Sequence, residues 1–164
     1  MAFWSFLESV QGNLIDPINN FAKDFTTSAT AGSEVYDIRG EKLALVFNQR
    51  IFKNKNLETR AGTDVDLERL KDVLPTFGIN VKIFNDARKN EIKRQIKHLQ
   101  EREDKLALLF IFIMSHGERH SKFEAYDGTM NVESDIKYKL AAENCQCLEG
   151  QPKIIFVQVK NIYF

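Results

Sequence analysis

At 164 residues the chain has the length of one domain and can bury a hydrophobic core. Its 23 basic and 23 acidic side chains cancel, so no excess of positive charge favours binding to nucleic acid. Cys145 and Cys147 are too close in sequence for an ordinary disulfide, and no continuous apolar run beside a basic region suggests a signal peptide or a membrane span. The expected compartment is therefore cytoplasmic.

Residues 1–33 differ in composition from the rest and are predicted to form a separate N-terminal segment. The spacing of their apolar side chains, three and four residues apart, predicts an amphipathic helix that packs on the body of the protein or on a partner chain. The face consists of Phe3, Leu7, Val10, Leu14, Ile18, Phe21 and Phe25. Membrane contact of residues 3–25 is less favoured, because Lys23 is the only base on the polar face. The small polar residues 26–33 predict a flexible linker.

Residues 34–164 predict alternating strands and helices. The predicted elements are a buried strand at 43–47, a helix capped by Thr63 or Asp64 with its apolar face at Val65, Leu67, Leu70, Val73 and Leu74, an edge strand at 79–83, a helix that begins at Asn85 or Asp86, a central strand at 106–114, a hairpin around Asp127 and Gly128, and a last strand at 154–158. Such alternation is typical of an α/β sandwich with a mainly parallel sheet.

Polar side chains follow three of these strands. Arg60 follows the first strand, His116 the central strand, and residues 158–160 the last one. Because the carboxyl ends of parallel strands meet at one edge of a sheet, these groups are expected to lie together. A guanidinium suits bidentate binding of a carboxylate, and an imidazole suits acid–base chemistry. His98 and His120, on a helix and in a hydrophilic turn, are assigned no chemistry.

Three segments, in the same order, resemble motifs of the caspases, cysteine proteases that cleave after aspartate. Residues 60–64, Arg-Ala-Gly-Thr-Asp, resemble the loop whose arginine binds the aspartate of the substrate. Residues 114–118, Met-Ser-His-Gly-Glu, resemble the segment that carries the catalytic histidine. Residues 150–158, Gly-Gln-Pro-Lys-Ile-Ile-Phe-Val-Gln, resemble the approach to the nucleophilic cysteine.

The resemblance implies a three-layer αβα sandwich of the caspase type, incomplete at the C-terminus. Residues 1–33 would be a short prodomain and residues 34–164 a large-subunit domain. The small subunit, which supplies further strands and the dimer interface in caspases, would lie beyond Phe164, leaving one sheet edge open. No cofactor and no metal site are implied.

The resemblance also assigns roles at the site. His116 would be the acid–base partner of the nucleophile, and the amide of Gly117 would contribute to the oxyanion hole. Arg60 and Gln158 would form the pocket for the aspartate side chain. The position of the nucleophile, however, is occupied by Lys160.

A lysine at the nucleophile position does not support thiol chemistry. Its ammonium is protonated at neutral pH and offers no lone pair, and attack by a neutral amine would leave a stable amide. Cys145 and Cys147 precede the last strand and are interpreted as solvent-exposed loop thiols, too far away to replace the nucleophile. The chain as written is therefore expected to be inactive.

Two functions remain open. One is a pseudo-caspase or truncated isoform that modulates active caspases, by pairing with caspase chains or with apoptotic regulators. The alternative is a fragment of an active Asp-specific cysteine endopeptidase whose true C-terminus is missing. In that case residues 159–164 would be translated intron, since Val-Lys codons can begin with the bases of a 5′ splice site. A doubly wound module that binds a carboxylate ligand at the same sheet edge is a third, more remote interpretation.

Overall fold

The computed structural model of the protein describes residues 28–31, 34–118 and 121–161. The predicted helix at residues 3–25 lies outside the described residues. The chain divides into two units, Met1–Arg39 and Gly40–Phe164. In the first unit, β1 (Ser28–Ala31) pairs antiparallel with β2 (Glu34–Asp37). The flexible linker predicted for residues 26–33 is therefore wrong where β1 forms.

The second unit is built on a six-stranded, mainly parallel sheet, as the sequence predicts. The strands are β3 (Lys42–Asn48), β4 (Ile79–Asn85), β5 (Leu108–Glu118), β6 (Lys122–Ala125), β7 (Gly128–Asn131) and β8 (Lys153–Asn161). β5 lies at the centre, with β3 and β8 parallel to it on either side and β4 parallel to β3. The antiparallel hairpin of β6 and β7 extends the sheet from the C-terminal end of β5.

The apolar runs of β3 and β5 explain their central place. All seven residues of β3 are buried, and the first seven residues of β5 are at most 5% exposed. Strands covered on both faces read as continuous hydrophobic runs, which is why these two were predictable. By contrast, only Ile79 of β4 is buried and its other residues are partly or fully exposed, since β4 forms the edge of the sheet beyond β3.

Two helices cover the sheet, α1 (Thr63–Val73) and α2 (Lys89–Gln100). α1 connects β3 to β4, whereas α2 connects β4 back across the sheet to β5. Since parallel crossovers are right-handed, connections that run in opposite directions put their helices on opposite faces. The result is the predicted three-layer αβα arrangement.

α2 begins later than predicted. Its first residue is Lys89, because Asp86 adopts a positive φ of 50° in the turn after β4. Asp86 Oδ1 accepts hydrogen bonds from the amides of Arg50 and Ile51 at 2.7 and 2.8 Å, so this carboxylate ties two loops together instead of capping the helix. The predicted apolar stripe of α2 is confirmed by the burial of Ile92, Ile96 and Leu99.

The capping prediction for α1 is also wrong. Gly62 occupies the N-cap position without a side-chain hydrogen bond to the helix, and Thr63 is already helical. The Thr63 hydroxyl instead donates to Asn48 Oδ1 at 2.5 Å. Leu67 and Leu70 are buried as predicted, but Val65 is 59% exposed, so it does not belong to the packed face of the helix.

The two cysteines are buried, not solvent-exposed as predicted. Cys145 is 0% and Cys147 1% exposed, and both thiols donate to the carbonyl oxygen of Leu99, at 3.4 and 3.1 Å. The short 3-10 turn Gln146–Leu148 lies beside the segment that precedes β5. There the amide of Leu106 donates to Cys147 O at 2.9 Å. Packing of this loop against the end of α2, invisible in the local pattern, removes the thiols from water.

Candidate active site

His116 lies inside β5, and Gln158 and Lys160 lie inside β8. The prediction that these residues follow their strands is therefore wrong, because both strands run further than their apolar cores. In the parallel register, His116 is directly opposite Lys160 and Met114 is opposite Gln158. His116, Gln158 and Lys160 still lie at the sheet edge expected from the sequence, since they fall at the carboxyl ends of the two strands.

The His116 ring is held between two carbonyl oxygens and is only 4% exposed. Its Nε2 lies 2.7 Å from the carbonyl oxygen of Glu58, whereas Nδ1 lies 3.4 Å from that of Lys160. Because a carbonyl oxygen only accepts, Nε2 donates the hydrogen bond to Glu58 O, and Nδ1 faces the carbonyl oxygen of Lys160 across the longer distance. Phe52 packs on the ring with centroids 4.9 Å apart. The ring is thus oriented with Nδ1 toward β8.

Glu58 is a site residue that the sequence analysis missed. Besides its carbonyl contact with His116, its carboxylate pairs with the Lys160 ammonium at 2.9 Å. The hydrogen bond from Lys160 and then the charge of that ammonium lower the pKa of Glu58. No sequence signal marks Glu58, because it orients the ring through a backbone atom that every residue type possesses.

Gly117 occupies a position that admits no side chain. A Cβ atom there would lie 2.7 Å from Val159 Cβ and 2.8 Å from the carbonyl oxygen of Lys122. The crowding arises because β5 pairs at this point with β8 on one side and β6 on the other, placing Gly117 opposite both Asn161 and Phe123. The close approach of these strands requires glycine for packing, whatever its amide contributes to chemistry.

Arg60 is half-buried on the loop between β3 and α1. Its Nη1 donates to the carbonyl oxygen of Gln49 at 3.0 Å and contacts Thr63 Oγ1 at 2.9 Å. The Thr63 hydroxyl in turn donates a hydrogen bond to Asn48, the last residue of β3. Thr63 therefore links the Arg60 guanidinium to that strand. Burial lowers the pKa of Arg60, and the charge of Asp66 opposes that effect. The guanidinium is anchored through one nitrogen.

Gln158 does not contact Arg60 directly but meets the same acidic residue. Its Nε2 donates to Asp66 Oδ2 at 2.9 Å. Asp66, on the first turn of α1, therefore acts electrostatically on Arg60 and by a hydrogen bond on Gln158. A carboxylate of the chain itself thus hydrogen-bonds one group, and acts through its charge on another, that the sequence analysis assigned to binding a ligand carboxylate. This arrangement was not predicted.

The two cysteines lie far from His116. β8 begins with Lys153 opposite Leu109 and reaches Lys160 seven residues later, a strand length of about 23 Å. Cys145 and Cys147 precede the start of β8. Burial and the hydrogen bond with Cys147 raise the pKa of Cys145 to about 12, so this thiol stays protonated. Neither cysteine is therefore placed to act together with His116.

A mainly parallel αβα sandwich with an oriented histidine at its carboxyl edge defines the class of this protein. The sequence matches the family model of the caspase domain over residues 41–160. The chain belongs to the caspase family.

Individual relatives agree with this assignment. The chain is 32% identical to Caspase-1 of Spodoptera frugiperda over 117 residues, which cover 71% of this chain and 38% of that protein. It is 34% identical to Caspase drICE of Drosophila melanogaster over 125 residues, covering 71% and 34%. The crystal structure of the Spodoptera protein superposes with a TM-score of 0.71 at 29% identity, covering 76% of this chain and 50% of that one. The chain thus spans at most half the length of these relatives.

The caspase-type fold predicted from the sequence is confirmed by this superposition. The roles of Arg60, His116, Gly117 and Gln158 stay predictions. Within residues 28–31, 34–118 and 121–161, no helix is long and apolar enough to cross a membrane. In the same residues, no group of three metal-binding side chains converges.

Proposed function

We propose that this chain is a caspase-family large-subunit domain that does not cleave peptides and instead modulates active caspase chains in apoptosis. The observation that supports this most is the pairing of His116 with Lys160 across β5 and β8, at the position where the family's nucleophile is expected. The ammonium of Lys160 forms an ion pair with the Glu58 carboxylate at 2.9 Å. His116 therefore faces a group that cannot supply a nucleophile.

The groups that bind a carboxylate are retained. The chain of hydrogen bonds from Asn48 through Thr63 to Arg60 orients the guanidinium as a ligand for an acidic side chain. We therefore expect the protein to bind peptides that contain aspartate without turning them over. A cytoplasmic location is part of the proposal, since the expected partners are protein chains and not membranes or nucleic acid.

The partner surface that we propose is the outer edge of β8. In the described part of the second unit, β8 pairs with β5 and with no other strand. Val157 on this strand is 43% exposed. An edge strand of this kind presents backbone amides and carbonyls that can pair with a strand of another chain. A caspase chain or an apoptotic regulator with an open strand fits this edge.

The first part of the test measures whether the wild-type chain and Lys160→Ala cleave a fluorogenic peptide that ends in aspartate. We expect no cleavage by the wild-type protein or by Lys160→Ala. The chain is then added to an active caspase, and the rate of cleavage and co-purification are measured, with Val157→Pro as the variant that disrupts the edge of β8. Cleavage of the peptide by the wild-type chain would refute the proposal. So would the finding that the chain neither binds an active caspase nor alters the rate at which that caspase cleaves the peptide.

A second candidate is a fragment of an active Asp-specific cysteine endopeptidase. It is favoured by the order of the remaining site, in which His116 Nε2 bonds Glu58 O at 2.7 Å and Gly117 fits where no side chain can. Sequencing the gene and transcript after the Gln158 codon distinguishes the two. An exon that encodes Ala-Cys-Arg-Gly would identify the fragment. Mature transcripts that keep the codons for Val159 and Lys160 would support the pseudo-caspase.

A further inference from the structure

A pocket of about 480 Å³ lies between the loop after β3 and the hairpin of β6 and β7. This volume is in the range that accommodates a small ligand or a long side chain. The hydrogen bond from the amide of Lys53 to Tyr126 O, 2.8 Å, holds the two walls together. The walls include Phe52, Leu57, Tyr126 and Asp127, with Glu124 among the lining residues. None of the predicted site residues lines this pocket.

Glu124 is the most unusual group in the pocket. The residue is 8% exposed, and its carboxylate accepts a hydrogen bond from Thr129 Oγ1 at 2.6 Å. Among the described residues, no basic group lies within ion-pair distance of it. Its backbone is fixed as well, since Ser115 Oγ donates to Glu124 O at 2.5 Å. Since Glu124 lines the pocket and forms no ion pair within the described chain, a cation bound in the pocket would give its carboxylate a partner of opposite charge.

We propose that this pocket binds the basic side chain, lysine or arginine, of a polypeptide segment. The apolar walls at Phe52 and Leu57 suit the aliphatic stem of such a side chain, and the Glu124 carboxylate suits its charged head. Asp127 adds a second negative charge, although its Oδ1 already accepts from the amide of Lys89 at 2.8 Å. A neutral or acidic side chain would leave Glu124 unpaired.

Basic groups of the chain also surround the pocket and do not neutralise Glu124. Lys53 lines it but is exposed to solvent. The Arg88 guanidinium lies over the Tyr126 ring, 5.5 Å from its centroid. The Lys89 side chain passes close to Gly128. None of the three forms an ion pair with Glu124, so a ligand cation does not displace an existing one.

The pocket adjoins the candidate active site through one residue. Phe52 forms part of its wall and also packs on His116, with ring centroids 4.9 Å apart. A segment whose basic side chain enters the pocket therefore passes beside His116. The inference concerns binding alone and does not depend on whether the chain cleaves peptides.

The test is an NMR titration of the 15N-labelled full chain with two probes. Nα-acetyl-arginine N-methylamide carries the charge, and Nα-acetyl-citrulline N-methylamide has nearly the same shape without it. We expect the arginine probe to shift the amides of Lys53, Tyr126 and Thr129 and to bind about tenfold more tightly than the citrulline probe, the effect of one charge-assisted hydrogen bond. In Glu124→Gln this difference should disappear, whereas the exposed Glu103→Gln is the matched control and should keep it.

Equal binding of the two probes to the wild-type chain would overturn the inference. So would a preference for arginine that persists in Glu124→Gln, because the charge would then be recognised elsewhere. If Glu124→Gln does not fold, the comparison of the two probes on the wild-type chain and the location of the shifted amides decide the question. The readout is binding, so its failure leaves the proposal about catalytic silence untouched, and cleavage by the chain leaves this inference untouched.

Discussion

Lys160 lies opposite His116 in the parallel pairing of β5 and β8, with its carbonyl oxygen 3.4 Å from Nδ1 of the histidine. The same lysine reaches the Glu58 carboxylate through its side chain, and the carbonyl oxygen of Glu58 accepts a hydrogen bond from His116 Nε2. His116 on β5, Lys160 on β8 and Glu58 on a loop are therefore each in contact with the other two. These contacts fix the orientation of the imidazole relative to β8.

Replacing Lys160 by cysteine should create a reactive thiol. In Lys160→Cys the thiol stands opposite His116, and a neighbouring imidazole lowers the pKa of a thiol and raises its thiolate fraction. We expect alkylation by iodoacetamide at pH 7 to be at least about tenfold faster than in Lys160→Cys combined with His116→Ala. The rate is measured by mass spectrometry of the modified peptide.

The matched control for this experiment is Val157→Cys, an exposed position of the same strand that is opposite Ile113. Its alkylation should not change when His116 is replaced. Equal rates for Lys160→Cys with and without His116 would show that the imidazole does not act on this position.

Adding a methyl group at Gly117 should destabilise the fold. The new Cβ would lie 2.7 Å from Val159 Cβ and 2.8 Å from a backbone oxygen, so strands must move apart. We expect Gly117→Ala to lower the free energy of unfolding by about 1–3 kcal/mol, measured by urea denaturation. Gly62→Ala is the control, since a Cβ at that position would meet nothing within 4 Å and its loss should be smaller. An equal loss in both would contradict the steric account.

Removing the charge of Asp66 should strengthen the binding of acidic peptides. Asp66 accepts from Gln158 and acts on Arg60, so it competes with a ligand carboxylate for both groups. We expect Asp66→Asn to bind a fluorescent peptide that ends in aspartate several-fold more tightly in a polarisation assay, by roughly 1 kcal/mol. Asp64→Asn is the comparison, because Asp64 pairs with Arg50 instead. Weaker binding by Asp66→Asn would mean that the carboxylate supports the site.

High pH should destabilise the loop that contains the cysteines. Burial raises the pKa of Cys145 to about 12, so the folded protein holds this proton more tightly than the unfolded chain, where a thiol titrates near about 8.5. The stability from the neutral thiol is complete below the unfolded pKa and is lost as pH rises from there through about 12. We expect Cys145→Ala to flatten this part of the pH dependence of urea unfolding between pH 8 and 10.5. An unchanged slope would contradict the assignment.

Much of the fold follows from local pattern. The continuous apolar runs of β3 and β5 identify central strands, and the period of Ile92, Ile96 and Leu99 identifies the buried face of α2. Several of the errors concern ends and caps, as at Asp86, whose carboxylate binds amides from another loop. Such partners are distant in sequence, so no local window contains them.

For the site, the sequence by itself determined the family, the gathering of His116 and Gln158 at one edge of the sheet, and the presence of lysine at residue 160, because these depend on residue type and order. Only the tertiary structure decided that Glu58 orients the imidazole, that Asp66 lies against Gln158, and that Cys145 and Cys147 are buried. These relationships involve backbone atoms or side chains brought together by strand pairing and packing. Their physical cause is contact between segments far apart in the chain, and a local stretch of sequence does not reveal such contacts.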